Sequence, residues 1–287
     1  MLSRYVVKVA LVTFVLCVCG ILVMESSTPG LWGHESPRLQ ADVDRAVLKA
    51  EEFRQQRNQL SSILNGVKLD LALISCQMVE LNQLHNKTSP GVSATGGWCK
   101  HNSASSTGEH KFDETLAEEL SLLFYNQSVA SFGDGPGTYK RYIDSTHRVH
   151  TYDAFDGAPY GREVSGGVVR FLDLTAPQYG LPLYDWVMSL EVAEHIPSKY
   201  ETIYIDNVVR HAKVGIVLSW AVPGQEGLAH VNNRPLAYVR RILLENGFEP
   251  DMEASTVLQK KATLTWFKEN VYVYRRLKGS TVSDTNA

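Results

Sequence analysis

Cysteine is scarce in this chain. Four stand in 287 residues, Cys17, Cys19, Cys76 and Cys99. They are too few and too scattered for a disulfide framework, and without a CxxC pair they exclude a structural zinc knuckle. Charge of one sign is also lacking. The formal net charge is -3 and no long basic run exists. Composition therefore gives no signal for a nucleic-acid partner. Long apolar runs are absent except for one, 5-YVVKVALVTFVLCVCGILVM-24.

That run is long enough as a helix to cross a hydrocarbon core of roughly 30 Å. Arg4 and Lys8 lie at its start and Glu25 follows it. The asymmetry predicts a short cytosolic tail over 1–4, a signal anchor over 5–24 and the rest of the chain on the other side. The expectation is a single-pass type II membrane protein of the Golgi or endoplasmic reticulum with a lumenal body. A cleaved signal peptide is the alternative. Two Asn-x-Ser/Thr sites, at Asn86 and Asn126, make it a candidate glycoprotein.

Residues 25–36 read as a linker broken by Pro and Gly. From 37 to 85 apolar residues recur in alternating steps of four and three: Leu39, Val43, Ala46, Ala50, Phe53, then Leu60, Leu64, Val67, Leu71, Ile74, Met78 and Leu81. Only Arg57 interrupts them. A heptad sustained this long predicts a coiled-coil-like stalk and a homo-oligomer. Cys76 lies off the seam, where an interchain disulfide is conceivable. The stretch 86–110 is rich in Gly, Ser and Thr and reads as a linker. A compact domain is expected over 111–278, with 279–287 as a disordered tail.

Within that domain strands and helices alternate. Asp113 can cap a helix over 114–124. Strands are expected over 128–132, 147–155, 168–174, 185–190 and 214–221, with a last one over 270–277. Helices are expected over 138–144, 198–212 and 234–247. Repeated β-α units predict an α/β, doubly wound, mostly parallel sheet.

Chemistry-bearing residues fall at the carboxyl ends of these strands, where such sheets bind ligands. After the first strand comes 133-GDGPG-137, whose glycines let a ligand approach backbone closely. The loop lacks the G-x-G-x-x-G spacing of a dehydrogenase. After the second comes 153-DAFDG-157, with Asp153 or Asp156 placed to meet a ribose. The third ends at Asp173 and Leu174. The fourth runs into 189-SLEVAEHIP-197, with Glu191, Glu194 and His195. Two carboxylates and an imidazole at this spacing can hold Mg, Mn or Zn.

In order and spacing these motifs resemble class I S-adenosylmethionine-dependent methyltransferases of the type 11-like group, over about Lys111 to Leu277. The resemblance implies a Rossmann-like methyltransferase sheet whose last strand inserts antiparallel. It implies S-adenosylmethionine as cofactor, held by Gly133, Asp134, Gly135, Gly137, Asp156 (or Asp153), Asp173, Leu174 and Glu191. The E-x-x-E-H arrangement also resembles that of metal-assisted O-methyltransferases. There a later histidine completes the site, and His230 is placed to do so. Glu191, Glu194, His195 and His230 are thus candidate metal ligands, and His195 and His230 candidate catalytic bases. The implied activity is methyl transfer to a small-molecule or glycan acceptor, oxygen favoured over nitrogen. One position departs from the pattern: Ser131 stands where the family carries an acid. This motivates the alternative of a noncatalytic oligomeric membrane protein with a degenerate methyltransferase-like domain used for binding.

Overall fold

The computed structural model describes residues 37–85, 91–99 and 110–279. The anchor over 5–24, the linker over 25–36, Asn86 and nearly all of the tail lie outside them. The chain divides into two units, 1–54 and 55–287.

In the second unit seven strands form one sheet in the order β3-β2-β1-β4-β5-β7-β6. They are β1 Ser128–Phe132, β2 Thr151–Asp156, β3 Val169–Phe171, β4 Tyr184–Leu190, β5 Ala212–Ser219, β6 Phe248–Asp251 and β7 Tyr272–Arg276. β1 to β5 pair parallel. β7 inserts antiparallel between β5 and β6, as expected.

Strand period decides which residues face which layer. Ala130, Phe132, Val187, Ile216 and Leu218 point to one face. There they meet Tyr204, Ile205 and Val208 of α5 (Glu201–His211), which follows the one-turn α4 (Gly161–Val164), and Val239 and Leu243 of α6 (Leu236–Glu245). Val129, Ala154, Trp186, Met188 and Val217 point to the other. They meet Leu116 and Leu120 of α2 (Glu114–Leu123), Ile143 of α3 (Thr138–Ser145) and Leu258 of α7 (Met252–Lys261). Helices thus cover both faces, and the sheet is doubly wound. Asp113 caps α2 by accepting from Leu116 N at 3.1 Å. It also accepts from Thr263 and Leu264 N, at 2.6 and 2.8 Å, and so ties α2 to the turn after α7. β6 and α7 escaped the sequence reading. Pro250 breaks the strand pattern, which an edge strand tolerates.

The long helix is α1, Pro37–Leu84. Among the described residues it alone is long and apolar enough to cross a membrane, by length and composition. In the first unit Leu39, Val43 and Phe53 are exposed. In the second, Leu60, Leu64, Val67, Leu71, Ile74, Met78 and Leu81 are also exposed. A different stripe of the helix meets the sheet domain. Ser61 Oγ donates to Pro177 O at 2.9 Å, Asn65 Nδ2 to Phe171 O at 3.1 Å and Lys68 Nζ to Thr175 Oγ1 at 3.0 Å.

Cys76 pairs within the chain, with Cys99. This corrects the interchain possibility: Cys76 lies on the body-facing stripe, buried with Val79. Polar stitching and this disulfide place residues from Gln55 onward in one unit with the sheet. The expected boundary at Lys111 falls inside that unit. Asn126 is exposed, in the turn before β1.

Candidate active site

A cavity of about 450 Å³ opens over the carboxyl ends of β1, β2 and β4. Its floor is the loop after β1. Gly133, Gly135 and Gly137 all have positive φ, which glycine adopts without strain. A Cβ on Gly133 would lie 2.2 Å from Val192 Cγ2, so the loop is closely packed against the segment after β4. Gly133 and Asp134 N donate to Phe155 O at 2.8 and 2.9 Å. Gly135 N donates to Asp156 Oδ2 at 2.8 Å, and Ala158 N to Asp156 Oδ1 at 2.8 Å. Gly137 shapes the start of α3 against Val168 and Val169 rather than lining the cavity.

Two carboxylates competed for the β2 position, and Asp156 lines the cavity. Asp153 does not. It pairs mid-strand with Ala130, accepts from Tyr184 Oη at 2.6 Å and meets Arg170 at 3.1 Å. An odd separation along a strand sends the two side chains to opposite faces.

At Ser131 the structure is informative. Its side chain lies beside the carboxyl of Asp134, which folds back into the cavity wall. Asp134 Oδ1 accepts from Tyr152 Oη at 2.8 Å and Oδ2 from Lys140 N at 3.3 Å. Burial raises its pKa to about 6, against the lowering effect of these hydrogen bonds.

Asp173 and Leu174 are buried in the cavity wall. Asp173 Oδ1 accepts from Thr175 N and Oγ1, at 2.8 and 2.6 Å. Its Oδ2 has no hydrogen-bond partner and lies 3.5 Å from Lys68 Nζ. Asn65 of α1 accepts from Asp173 N at 3.0 Å. Thus α1 props this end of the cleft, which sequence periodicity did not reveal.

Beyond β4 the chemistry changes. Glu191 has φ 52 and a carboxylate held at both oxygens. Gln225 Nε2 donates to Oε2 at 2.5 Å and Asn270 Nδ2 to Oε1 at 2.8 Å. Glu194 follows in a tight turn, Ala193–His195, and is fully buried. Neither of its carboxylate oxygens has a hydrogen-bond partner. Burial, then the nearby charge of Glu191, pushes its carboxyl well above the usual carboxylate range.

His230 arrives on the loop after β5. Its Nδ1 lies 3.2 Å from Gln225 O and its Nε2 3.9 Å from Glu194 Oε1. A Cβ on Gly227 would fall 2.0 Å from His230 Nε2, so only glycine leaves room for that ring. The rings of His195 and His230 are 5.0 Å apart, edge to face. Burial, then the neighbouring His230, lowers the His195 imidazole to about 4. One ligand atom each from Glu194, His195 and His230 lies within 4.8 Å of the others. Glu191 is not among them; its two oxygens accept from Gln225 and Asn270.

The seven-strand sheet is parallel over β1 to β5 with β7 antiparallel, the arrangement that the resemblance in sequence leads one to expect. No family model matches the chain, and no curated protein matches it. Among solved structures it is similar to magnesium protoporphyrin IX methyltransferase from Synechocystis PCC 6803 with bound SAH. Identity is 18%, over 57% of this chain and 83% of that one, at TM-score 0.43. It is also similar to the 1,6-didemethyltoxoflavin-N1-methyltransferase from Burkholderia thailandensis. There identity is 15%, over 57% of this chain and 76% of that one, at TM-score 0.40. The chemistry has to come from this chain's own residues.

Proposed function

We propose that this protein transfers a methyl group from S-adenosylmethionine to an oxygen acceptor, with a divalent cation beside the acceptor. The observation that carries the reading is one cavity with two differently built ends. One end offers backbone and held carboxylates, and the other a buried carboxylate without a partner beside two imidazoles.

The cofactor end fits the cofactor's groups. Gly133 and Gly135 line the cavity with backbone that a ligand can approach closely. Asp156 is held by two backbone N–H groups with lone pairs left for ribose hydroxyls. Asp173 Oδ2, which accepts no hydrogen bond within the protein, suits an adenine amino group. Asp134, tucked beside Ser131, takes the place of the acid that the resemblance leads one to expect and offers its carboxylate to the methionine ammonium. The bound cofactor supplies a methyl already activated on sulfur, so the protein's task is alignment.

At the other end an ionised carboxylate buried without partners costs several kcal/mol. A proton or a cation removes that cost. Glu194, His195 and His230 would hold a divalent cation, which would supply positive charge that makes an acceptor hydroxyl more acidic. An imidazole lowered to about 4 is neutral at pH 7, the form a ligand needs, and is a poor base there. Ligation therefore suits His195 better than proton abstraction. Without the cation, His230 is the better candidate to accept the acceptor's proton, through the Nε2 that Gln225 O leaves free.

Calorimetric titration of the full chain with S-adenosylhomocysteine tests the core of this reading. Absence of binding at millimolar ligand would sink it.

Two further parts of the proposal concern setting. The Cys76–Cys99 bond belongs in an oxidising compartment, which supports a lumenal body and a type II anchor. A glycosidase-sensitive mobility shift that disappears in Asn86→Gln/Asn126→Gln checks it. The exposed Leu60–Leu81 seam keeps a 3.5-residue period, the period that meshes with another helix of the same kind. A second copy of α1 is the partner this favours. Sedimentation of the full chain giving a monomer would remove it.

A further inference from the structure

Residues Gly91–Cys99 fold into a small hairpin outside the sheet. Ser93 N donates to Gly97 O at 2.7 Å and Cys99 N to Gly91 O at 3.0 Å, while Val92 bridges Trp98. Gly97 N also donates to Ser93 Oγ at 3.1 Å. Two links join the hairpin to α1. Ala94 N donates to Ser75 Oγ at 3.2 Å, and Cys99 is bonded to Cys76.

Its tip reaches both banks of the cavity. A Cβ on Gly97 would lie 2.2 Å from Gly157 O, just past β2. A Cβ on Gly96 would lie 2.5 Å from His195 O, past β4. Backbone rests on backbone at both points, which only glycine permits. Between them Trp98 sets its ring edge-to-face with His110 and His195, at 5.2 and 6.1 Å. Thr95 to Trp98 line the same cavity as Gly133, Asp134 and Asp156. The hairpin therefore crosses from the ribose side of the cleft to the histidine side.

Among the described residues little else fastens it. Its buried apolar contacts are a satellite of Cys76, Val79 and Cys99 with Tyr160 beside them. Closing the loop from Cys76 to Cys99 removes much of the freedom the segment would otherwise have. Both sulfurs are buried, so the bond is a fixture made during folding rather than a surface switch.

We propose that the Gly91–Cys99 hairpin is the cover that retains the cofactor in its cleft, and that the Cys76–Cys99 disulfide fixes it there. Cofactor affinity then depends on oxidative folding. Two thiols lose two protons and two electrons to a disulfide-bearing oxidant, which leaves as a dithiol. This rests on the methyltransferase reading and adds to it the element that closes the site.

The test uses the full chain as wild type, Cys76→Ser/Cys99→Ser and Gly97→Ala, each titrated with S-adenosylhomocysteine and followed by amide hydrogen exchange. Both variants should bind about tenfold or more weakly, through faster dissociation. The Gly96 to Cys99 amides should lose protection in the double variant, while thermal unfolding stays cooperative. Gly97→Ala keeps both cysteines and so decides the matter should the double variant not fold. If both variants bind within about twofold of wild type, the hairpin is no cover and the proposal fails. If only Gly97→Ala weakens binding, the role of the disulfide is overturned. A wild type that binds nothing sinks the methyltransferase reading and this inference with it.

Discussion

The two ends of the cleft solve the problem of buried polar groups in opposite ways. At the cofactor end the carboxylates of Asp156 and Asp134 are held by backbone or hydroxyl donors. At the other end Glu194 is buried with both oxygens unpartnered and with two imidazoles at its side. Glu191 stands at the border, held by Gln225 and Asn270. The first end is complete before a ligand arrives except at Asp173 Oδ2. The second is complete only with a proton or a cation. Experiments that act on one end and leave the other unchanged are the way to break or sharpen that contrast.

The largest effect is expected from Gly135→Arg. Gly135 has φ +60 and its missing side chain points at His110 across the cavity. A bulky residue there strains the loop and fills the cofactor space. S-adenosylhomocysteine affinity should fall by about a hundredfold or more in calorimetry. Cobalt(II) added as a spectroscopic probe should still bind at the histidine end. Loss of both together would mean the ends are not independent.

Glu194→Gln should do the reverse. It removes the one anionic ligand and should weaken Co(II) absorbance titrations by about a hundredfold, with cofactor affinity unchanged. Its effect on metal-free stability has a definite sign. The native carboxyl holds its proton more tightly than the unfolded one, because burial raises its pKa. Wild-type stability from this group is therefore present at low pH and lost as pH rises above the unfolded value. A neutral isostere escapes that loss. Thermal unfolding should find Glu194→Gln equal to wild type near pH 4 and more stable near pH 8.

How much of this contrast could be read from sequence follows from the same physics. The strand ends, the glycine loop and the Glu194–His195 pair were legible because local spacing fixes them, and His230 through the resemblance. Period two placed Phe132, Val187 and Leu218 on one layer, and turn geometry placed Glu194 beside His195. What stayed hidden depends on long-range pairing. Asp153 and Asp156 are separated only by which face of β2 meets the cavity. Glu191 lies outside the ligand cluster and turns to Gln225 and Asn270, which come from far along the chain. The stretch 91-GVSATGGWC-99 has the composition of a linker, yet Gly96 and Gly97 are there for close packing. Cys76 and Cys99 were the available signal, since they are the only cysteines of the sequence outside the 5–24 run and have each other to pair with.

A smaller effect is expected at Asp134. If its carboxylate holds the cofactor's ammonium, binding needs the ionised form. Burial sets that ionisation at about pH 6. Affinity for S-adenosylhomocysteine should then fall by about tenfold for each pH unit below about 6 and level off above it. His195 and His211, both lowered to about 4, ionise outside this window. Asp134→Asn should bind about tenfold more weakly at pH 8 and lose the pH dependence. A wild-type profile that stays flat from pH 5 to 8 would show that Ser131 has no acidic substitute.

The smallest effect, and the finest test of the border, is Glu191→Gln. Both Glu191 oxygens accept hydrogen bonds from side-chain amides. An amide in its place keeps one acceptor and turns one donor against Gln225 or Asn270, a cost of about 1–2 kcal/mol in stability. That should appear as a modest drop in melting temperature. Co(II) affinity should change little, because Glu191 contributes no ligand atom to the cluster. If Glu191→Gln instead abolishes Co(II) binding as fully as Glu194→Gln, the carboxylate must leave Gln225 and Asn270 when metal arrives. The two ends of the cleft would then be joined through that movement, not divided at Glu191.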